Sequence, residues 1–515
     1  MKNSLRLLLL FAALSFLGLQ KLLAQTPATG QPVATSTPMA LSLQQAIDYS
    51  LKNKSTLQAT RVNEQLADAR IGQIKSQGLP QVNVAATLTD NFKLQKSLVD
   101  VGAFGGGQGA LLGATLTPGA ITAAQGGQAV TLQPAYADAV PVPPRPLSFG
   151  LQYAGNTSAS FSQQLFNGSY LLGLKAAKVY QQLATKQTIQ SEVDVVEQVS
   201  KAYYSTLVAG ERLKLLSRNV QRLDTLLYQT ERTFKEGFVE KLDVQRLQVQ
   251  RNNLRIEQQN AERLINLSVA LLKFQMGLDQ RQPVQLTDSL STAVIDAERL
   301  KQQVSQVDNN FNYSNRIEYS VLETQRDLAA LDVRNQRAGY LPTLNLVGAY
   351  GFIGSAKSLP GLLEFRGPNS LDPVTNFANQ SWFGFGNIGL QLQIPVFDGF
   401  RKKYLVQTAK LTLEQVNKGF TTLQQGIDLQ RAQSQTTLQN DLDVLANQKA
   451  NLDLATEVAR VAKVKFQEGV GSNVELVTAE TDLRQAQTNY YSALYDALVA
   501  KVDYDKAAGT LYTKK

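Results

Sequence analysis

The sequence predicts a mixed fold that joins membrane β-strands to long α-helical coiled coils. Residues 168–234 contain no proline, and their interior glycines are Gly173 and Gly210. As one helix this stretch would span roughly 100 Å, at about 1.5 Å for each residue. No compact core is that deep, so the helix has to pair side by side with others. Separately, four segments alternate apolar and polar residues with a period of two, which is typical of strands with two unlike faces.

Composition excludes several classes of chemistry. The chain has 515 residues, a formal net charge of +9, and neither histidine nor cysteine. Cysteine nucleophiles, histidine bases, disulfides and cysteine–histidine metal sites are therefore ruled out. We predict no catalytic residue, no cofactor site and no metal site, and we expect that the protein is not an enzyme. The weak positive charge does not indicate a nucleic-acid partner.

The N-terminal residues have the pattern of a targeting segment rather than of part of the fold. Lys2 and Arg6 precede an apolar run over residues 7–19, and a small residue, Ala24, ends the segment. This pattern predicts a signal peptide over residues 1–24. An uncleaved anchor helix is the alternative, although the run is shorter than the ~20 residues that a membrane span needs. Residues 25–40 then read as a flexible leader rich in proline, threonine and alanine.

The four alternating segments predict membrane strands. Their expected bounds are about 79–92, 148–166, 341–353 and 382–397. The polar face carries almost no charge, and aromatic residues gather near the strand ends, as in a barrel with lipid outside and water inside. These aromatic residues are Phe149, Tyr153, Tyr350, Phe352, Trp382, Phe383 and Phe385. A soluble antiparallel sheet also alternates and remains the alternative.

Residues 93–147, between the first two strands, are rich in glycine, alanine and proline. We expect a structureless insert at a surface tip. Its glycines lack the Lys-Ser/Thr ending of a phosphate-binding loop, so nucleotide binding is not predicted. The sequence leaves the role of this insert open.

The chain also repeats itself. Leu-Pro stops a helix and starts an extended segment, Phe-Asn/Asp-Gly turns a strand into a helix, and Phe-x-Glu-Gly ends a helix with a left-handed residue. The matching positions are Pro80 with Pro342, Gly168 with Gly399, and Gly237 with Gly469. We therefore predict a two-fold internal repeat.

The predicted domains follow from this repeat. The first structural repeat covers residues 41–285, with a long helix at 168–236 and a shorter one at 240–277. An equatorial connector covers 286–306. The second repeat covers 307–515, with a long helix at 399–468 and a shorter one at 472–509.

Together these duplicated marks resemble the TolC-like outer-membrane efflux proteins, also called outer-membrane factors, over about residues 41–511. The resemblance implies a homotrimer in which each chain gives four strands to a twelve-stranded barrel and its helices to a periplasmic α-barrel. The residues alone go partway. Four strands cannot close a membrane barrel and lipid does not tolerate open edges, so at least two copies must share one barrel.

The resemblance further implies a passive conduit in the outer membrane of a Gram-negative bacterium, with its helices in the periplasm. It would export small molecules as part of a tripartite efflux system. Its partners would be a periplasmic adaptor (membrane fusion) protein, an inner-membrane pump and outer-membrane lipid, with no nucleic acid. One alternative is the outer-membrane duct of a type I polypeptide secretion system. Another, of a different class, is a soluble periplasmic coiled-coil scaffold.

The resemblance also suggests functional residues at the two helix–helix turns. Asp243 and Glu475 match acids of the periplasmic entrance, where rings of carboxylates would attract cations. Helix capping is their alternative role, since Ser472 and Glu475 fit a capping box. The family's basic residue and further acid align here with Gly471 and Thr478, so no gating salt bridge is expected at the second turn.

The same turns are the predicted adaptor contacts. The candidates are Gly237, Phe238, Gly469, Val470 and Gly471. Their exposed side chains would meet a helical partner tip to tip. The alternative for the neighbouring Phe234 and Phe466 is packing within their own hairpins.

Overall fold

A computed structural model describes residues 38–99, 145–148, 150–288, 300, 311–364 and 381–512. Several predictions lie outside these residues: the signal peptide, residues 25–37 of the leader, positions 100–144 of the insert, and most of the connector after residue 288.

The described residues are mainly helical. Their eight α-helices are α1 Leu43–Asn53, α2 Ser55–Gln77, α3 Gly168–Lys235, α4 Lys241–Met276, α5 Ile317–Ala338, α6 Leu359–Leu363, α7 Arg401–Gln467 and α8 Asn473–Ala508. The two longest, α3 and α7, contain 68 and 67 residues. Helices of this length were expected from the sequence.

Eight strands accompany the helices. They are β1 Met39–Leu41, β2 Gln81–Asp90, β3 Lys96–Val99, β4 Arg145–Ser148, β5 Tyr153–Phe166, β6 Val284–Leu286, β7 Thr343–Ala356 and β8 Trp382–Gln393. The four long strands form one antiparallel sheet in the order β2-β5-β7-β8. The prediction of four such strands in the chain is therefore confirmed.

Two small sheets were not predicted. β1 pairs with β6 in parallel, and β3 pairs with β4 antiparallel. The second pair joins the two ends of the glycine-rich insert, so the expectation of a structureless insert is wrong at residues 96–99 and 145–148. Short strands of three or four residues carry too little periodicity to stand out in a sequence.

The fourth long strand ends earlier than predicted, at Gln393 rather than about residue 397. Thr343 is the first residue of β7 and pairs with Gln393. The chain before Thr343 is already turning out of α5, as the Leu341 N–H donates to the Ala338 carbonyl at 3.0 Å. Residues beyond Gln393 therefore have no neighbour on β7, and Pro395 has no N–H to donate.

The chain divides into two compact units. One, the sheet unit, comprises residues 64–183 and 322–419. The other, the helical unit, comprises residues up to 63, 184–321 and 420 onwards. The long helices α3 and α7 contribute residues to both.

The sheet unit has one apolar and one polar face. The register places Val84 opposite Ala159, Val82 opposite Phe161, and Leu346 opposite Leu390, with Gln163 as a polar exception on this face. The other face carries small polar residues such as Asn83, which lies opposite Ser160. The apolar side chains of both edge strands are solvent-exposed in the single chain, at Val82, Val84, Leu88, Ile388, Leu390 and Leu392.

Glycines on the apolar face make room for a tryptophan. Gly155 pairs with Gly354, which in turn pairs with Trp382. A Cβ on Gly354 would lie 2.5 Å from the Trp382 indole, and one on Gly155 would lie 2.6 Å from it. The indole Nε1–H donates to the Leu362 carbonyl at 2.9 Å. The ring therefore lies flat across two strands and ties α6 to the sheet.

In the helical unit, a buried tyrosine anchors the β1–β6 pair. Tyr203 of α3 is fully buried. Its hydroxyl donates to Asp288 Oδ2 at 2.8 Å and lies 3.1 Å from the Leu41 carbonyl oxygen. Burial and the nearby carboxylate raise the pKa of Tyr203 well above its usual range, which keeps the hydroxyl protonated and donating.

A network of charges joins α3 to α8. Lys506 Nζ lies 2.7 Å from Asp194 and 2.6 Å from Glu197, while Lys201 Nζ lies 2.8 Å from Glu197 and 2.5 Å from Asp503. Burial acts to raise the pKa of Glu197, but hydrogen bonds from Lys201 and Lys506 outweigh it and hold the pKa below the ordinary value. The carboxylate is thus charged and doubly paired at neutral pH.

Among the residues that the structure describes, no helix combines the length and the hydropathy that crossing a membrane would require.

Replacing Gly354 with alanine should displace the Trp382 ring, because the added Cβ overlaps the indole. Overpacking of this kind destabilises by about 1–3 kcal/mol. Trp382 is the chain's only tryptophan, so its intrinsic fluorescence reports the change directly. We expect a shifted emission maximum and greater acrylamide quenching. Gly389→Ala is the matched control, since a Cβ there meets no atom within 4 Å. Identical spectra for Gly354→Ala and wild type would contradict the packing described.

The α3–α8 network should make the protein sensitive to acid. The pKa of Glu197 is lower in the folded than in the unfolded chain, so this residue adds stability above about pH 4.3. That contribution is lost as the pH falls through the folded-state pKa. Glu197→Gln should remove about 1–3 kcal/mol of stability at neutral pH. Its melting temperature, followed by circular dichroism, should fall less steeply on acidification than that of wild type.

The control for this pH profile is Glu211→Gln, which alters a carboxylate paired with the exposed Lys214 on the same helix. It should keep the wild-type acid limb. Equal acid sensitivity in Glu197→Gln and wild type would show that the network does not carry the effect.

Candidate functional site

The first helix–helix turn connects α3 to α4 and is closed by a glycine. Gly237 has φ +82°, a conformation that side chains with a Cβ rarely adopt. The Phe238 N–H donates to the Thr233 carbonyl at 3.1 Å, and the Gly237 N–H donates to the Phe234 carbonyl at 3.0 Å. This is a Schellman motif, which satisfies the last carbonyls of α3.

The second turn, between α7 and α8, has the same geometry. Gly469 has φ +75°, and the N–H groups of Val470 and Gly471 both donate to the Lys465 carbonyl at 3.0 Å. A Cβ on Gly471 would lie 2.9 Å from Lys465 Cβ and 3.0 Å from the Phe466 nitrogen. Close approach of the backbone therefore favours glycine at this position.

Two apolar side chains project from the turns. Phe238 is 81% exposed and Val470 is 79% exposed. Phe466 is partly buried against a core cluster of the helical unit, whereas Phe234 is 39% exposed. We call residues Gly237, Phe238, Gly469, Val470 and Gly471 the tip surface. The structure thus places all five predicted adaptor-contact residues on the two turns.

Asp243 lies in the first turn of α4 and is held by the other hairpin. Asn473, at the start of α8, donates from Nδ2 to Asp243 Oδ1 at 2.9 Å and also lies 3.4 Å from the Asp243 carbonyl oxygen. Asn473 is only 7% exposed. Arg246 is 3.8 Å from the same carboxylate. Asp243 therefore links the two hairpins of one chain.

Glu475 lies in the first turn of α8 with a different partner. The Ser472 hydroxyl accepts from the Glu475 N–H at 3.1 Å, which is one half of the predicted capping box. The Glu475 side chain does not complete the box. It pairs instead with Lys465 at 3.1 Å, and both groups are about half exposed. An ion pair thus forms within the second hairpin, where the sequence did not suggest one.

Below the tips, polar contacts join the hairpins along one face of α8. Asn219 donates to Gln487 at 2.9 Å, and Arg222 pairs with Glu480 at 2.5 Å. Burial raises the pKa of Glu480 even though Arg222 acts to lower it. Asn473, Glu480 and Gln487 are spaced seven residues apart. That heptad spacing of polar residues is the sequence signal for a polar contact line between the two hairpins.

The four residues that define the predicted repeat lie where helices and strands meet. Pro80 immediately precedes β2, and Pro342 immediately precedes β7. Gly168 begins α3, with Asn167 Oδ1 accepting from the Ser169 and Tyr170 N–H groups at 2.9 and 3.2 Å. Gly399 has φ +67°, and Asp398 beside it accepts from the Lys402 N–H at 3.2 Å.

Chemically, the tips offer carboxylates, an ion pair and exposed apolar groups. In the part of the chain that the structure describes, no group of three or more Asp, Glu, His or Cys side chains is placed to hold a metal ion. Within the single chain each acid lies near one cation, Asp243 near Arg246 and Glu475 near Lys465.

Comparison with known proteins gives a consistent result. Residues 314–510 match the model of the outer membrane efflux protein family. Outer membrane protein TolC of Vibrio cholerae is 21% identical over 352 residues, which are 68% of this chain and 76% of that protein. Over its C-terminal part the chain is similar to the outer membrane efflux proteins, and over about two thirds of its length it is similar to TolC. The resemblance inferred from the duplicated motifs is thereby confirmed.

Solved structures of membrane proteins share the fold. A membrane protein from Pseudomonas aeruginosa superposes with a TM-score of 0.62 at 16% identity, covering 94% of this chain and 97% of the other. The Campylobacter jejuni CmeC outer membrane channel gives a TM-score of 0.62 at 14% identity, covering 95% and 94%. The predicted outer-membrane location is confirmed at the level of the family, whose members are outer-membrane proteins.

Removing the Asn473 side chain should loosen the link between the two tips. Asn473→Ala leaves the Asp243 carboxylate without its buried donor, at a loss of about 1–3 kcal/mol. We expect faster amide hydrogen exchange over residues 236–243, measured by mass spectrometry.

The matched control is Asn440→Ala, which removes an exposed asparagine from α7. It should leave exchange at both turns as in wild type. If Asn473→Ala also left it unchanged, the hydrogen bond to Asp243 would not hold the tips together.

Proposed function

We propose that the protein is the outer-membrane channel of a tripartite efflux system, working as a homotrimeric passive conduit for small molecules. The observation that carries this proposal is the four-stranded sheet with one exposed apolar face and two unpaired edges. Similarity to the outer membrane efflux protein family and to TolC supports the efflux role, while the trimer, the substrate class and the partners are our inference.

The edges of the sheet favour assembly with further copies. Within the described residues, β2 and β8 each have a strand neighbour on one side only. An open edge in lipid leaves backbone N–H and C=O groups without partners, which a membrane does not tolerate. Pairing β2 of one copy with β8 of the next would satisfy both edges and continue the apolar face.

An exposed stripe on α4 supports the same conclusion. Leu242, Val249 and Ile256 are spaced seven residues apart and are about half exposed. Four more apolar residues extend the stripe toward the end of the helix: Leu264, Leu267, Leu271 and Phe274. A heptad of exposed apolar side chains is the pattern of a coiled-coil seam, and a neighbouring copy would cover it.

The tips would form the periplasmic entrance and meet the adaptor. Phe238 and Val470 are exposed on turns that are closed by glycines, which suits a small helical contact with a partner. Asp243 and Glu475 place carboxylates in the first turns beside these residues. Repeated around a homotrimer they would attract cations to the entrance.

This function requires no bond-making chemistry in the chain itself. An inner-membrane pump would supply the energy, and a periplasmic adaptor would couple the pump to the tip surface. Outer-membrane lipid would contact the apolar face of the sheet.

Single-channel recording tests the proposal. The purified protein should insert into planar lipid bilayers and conduct ions, and cell fractionation should find it in the outer membrane. Asp243→Asn combined with Glu475→Gln should reduce cation selectivity by at least about twofold, since two carboxylates per copy are lost at the entrance.

The charge-matched control is Asp453→Asn with Glu457→Gln. It neutralises two exposed acids of α7 that precede the second turn by more than two helical turns. This control should keep the wild-type selectivity. A water-extractable monomer without conductance would reject the channel. Conductance with unchanged selectivity in the Asp243/Glu475 variant would reject the entrance role of these acids.

A further inference from the structure

The apolar face of the sheet continues beyond the end of β8. Ile394 and Val396 keep the same alternation as Ile388, Leu390 and Leu392, and Val396 is 93% exposed. Phe397 follows and is 77% exposed. Its ring meets that of Phe400 edge to face, with 5.5 Å between the ring centroids. An aromatic pair therefore lies at the end of the apolar face, where the chain passes from β8 to α7.

The backbone at this point is held in an unusual conformation. Phe400 has φ +66° and is the only non-glycine residue with positive φ in the part of the chain that the structure describes. It directly follows Gly399, which also has positive φ. A bulky residue keeps such a conformation only where its surroundings impose it, and such positions cluster at sites that contact ligands.

Three cations follow in the first turn of α7: Arg401, Lys402 and Lys403. Lys402 has partners of its own, since it lies 3.8 Å from Asp398 Oδ2 and 5.7 Å from the centre of the Tyr340 ring. Lys403 lies 5.7 Å from the centre of the Phe400 ring. Among the described residues, neither Arg401 nor Lys403 has a carboxylate within ion-pair distance.

The position of these cations is unfavourable within the chain alone. The first turn of a helix carries a partial positive charge and favours acids, yet the first turn of α7 contains none. Two exposed, unpaired cations beside two exposed phenyl rings would be stabilised by an external anion whose surroundings are apolar. A phospholipid headgroup at a membrane surface has both properties.

We propose that Phe397, Phe400, Arg401 and Lys403, here called the interfacial knuckle, bind the phosphate of anionic phospholipids in the membrane leaflet at the end of β8. The rings enter the boundary between headgroups and acyl chains, and the cations reach the phosphates. This inference rests on the proposed placement of the sheet in the outer membrane.

Native mass spectrometry of the full-length protein tests the proposal. The protein is purified from mixed micelles that contain phosphatidylglycerol and phosphatidylcholine in equal amounts, and the retained lipids are counted. Wild type should retain phosphatidylglycerol in preference to phosphatidylcholine. Arg401→Gln with Lys403→Gln should reduce that preference by about tenfold.

Two further variants separate charge, ring and fold. Lys410→Gln with Lys418→Gln removes the same charge from exposed positions on the same helix and should keep the preference. Phe400→Gly accepts the positive φ without strain and removes only the ring, so it should bind fewer lipids while the far-ultraviolet circular dichroism stays as in wild type.

Each outcome decides between distinct conclusions. Equal preference in the Arg401/Lys403 variant and its control would overturn the knuckle as a lipid site. Full displacement of the lipid by inorganic phosphate would assign a free-anion site instead, and loss of adaptor binding with unchanged lipid retention would assign a protein contact. Wild type that forms no channel in planar bilayers would reject the proposed function itself, whereas conduction with unselective lipid retention would reject only the knuckle.

Discussion

Backbone hydrogen bonding at the edges of the four-stranded sheet is the constraint on which the rest of the structure depends. Each of β2 and β8 leaves one row of N–H and C=O groups unpaired within the described chain. In water such edges are tolerable, but beside an exposed face of valine, leucine and isoleucine they are not. With the sheet placed in lipid as proposed, further copies of the chain are needed to pair these edges and close the surface.

The helical unit is shaped by the length of its helices. Its helices are too long for one deep core, so their contacts are distributed as small clusters interrupted by polar pairs. The ion pairs Glu197–Lys506, Lys201–Asp503 and Arg222–Glu480 lie between helices rather than on free faces. Paired charges at such positions fix which residues face each other along a coiled coil, where apolar contacts alone would allow sliding.

Local chemistry made much of this predictable. Period-two alternation gave the long strands, and Leu-Pro with Phe-Asn/Asp-Gly gave the points where strands and helices meet. The misses have two causes. Pro395 is a local signal for the early end of β8, since proline has no N–H to donate, but period-two alternation continues past it. The heptad of polar residues on α8 marks a polar face but does not name its partners, because a contact such as Asn473 with Asp243 joins residues 230 positions apart. The Lys465–Glu475 pair depends on the closing of a hairpin and is not visible in a sequence window.

The matching glycines of the two halves show why position in a motif does not fix its physical role. Gly168 has no positive φ, but a Cβ there would lie 2.8 Å from Leu341 and 3.2 Å from Ala338. A larger residue there would have to displace the Leu341 side chain and crowd Ala338. Gly399 has open space around its Cβ position and φ +67°, so it is required by conformation. Because the second junction is free of that packing, its next residue, Phe400, can project outward with its ring exposed. The same three-residue pattern thus closes a helix–strand contact in one half and presents an aromatic surface in the other.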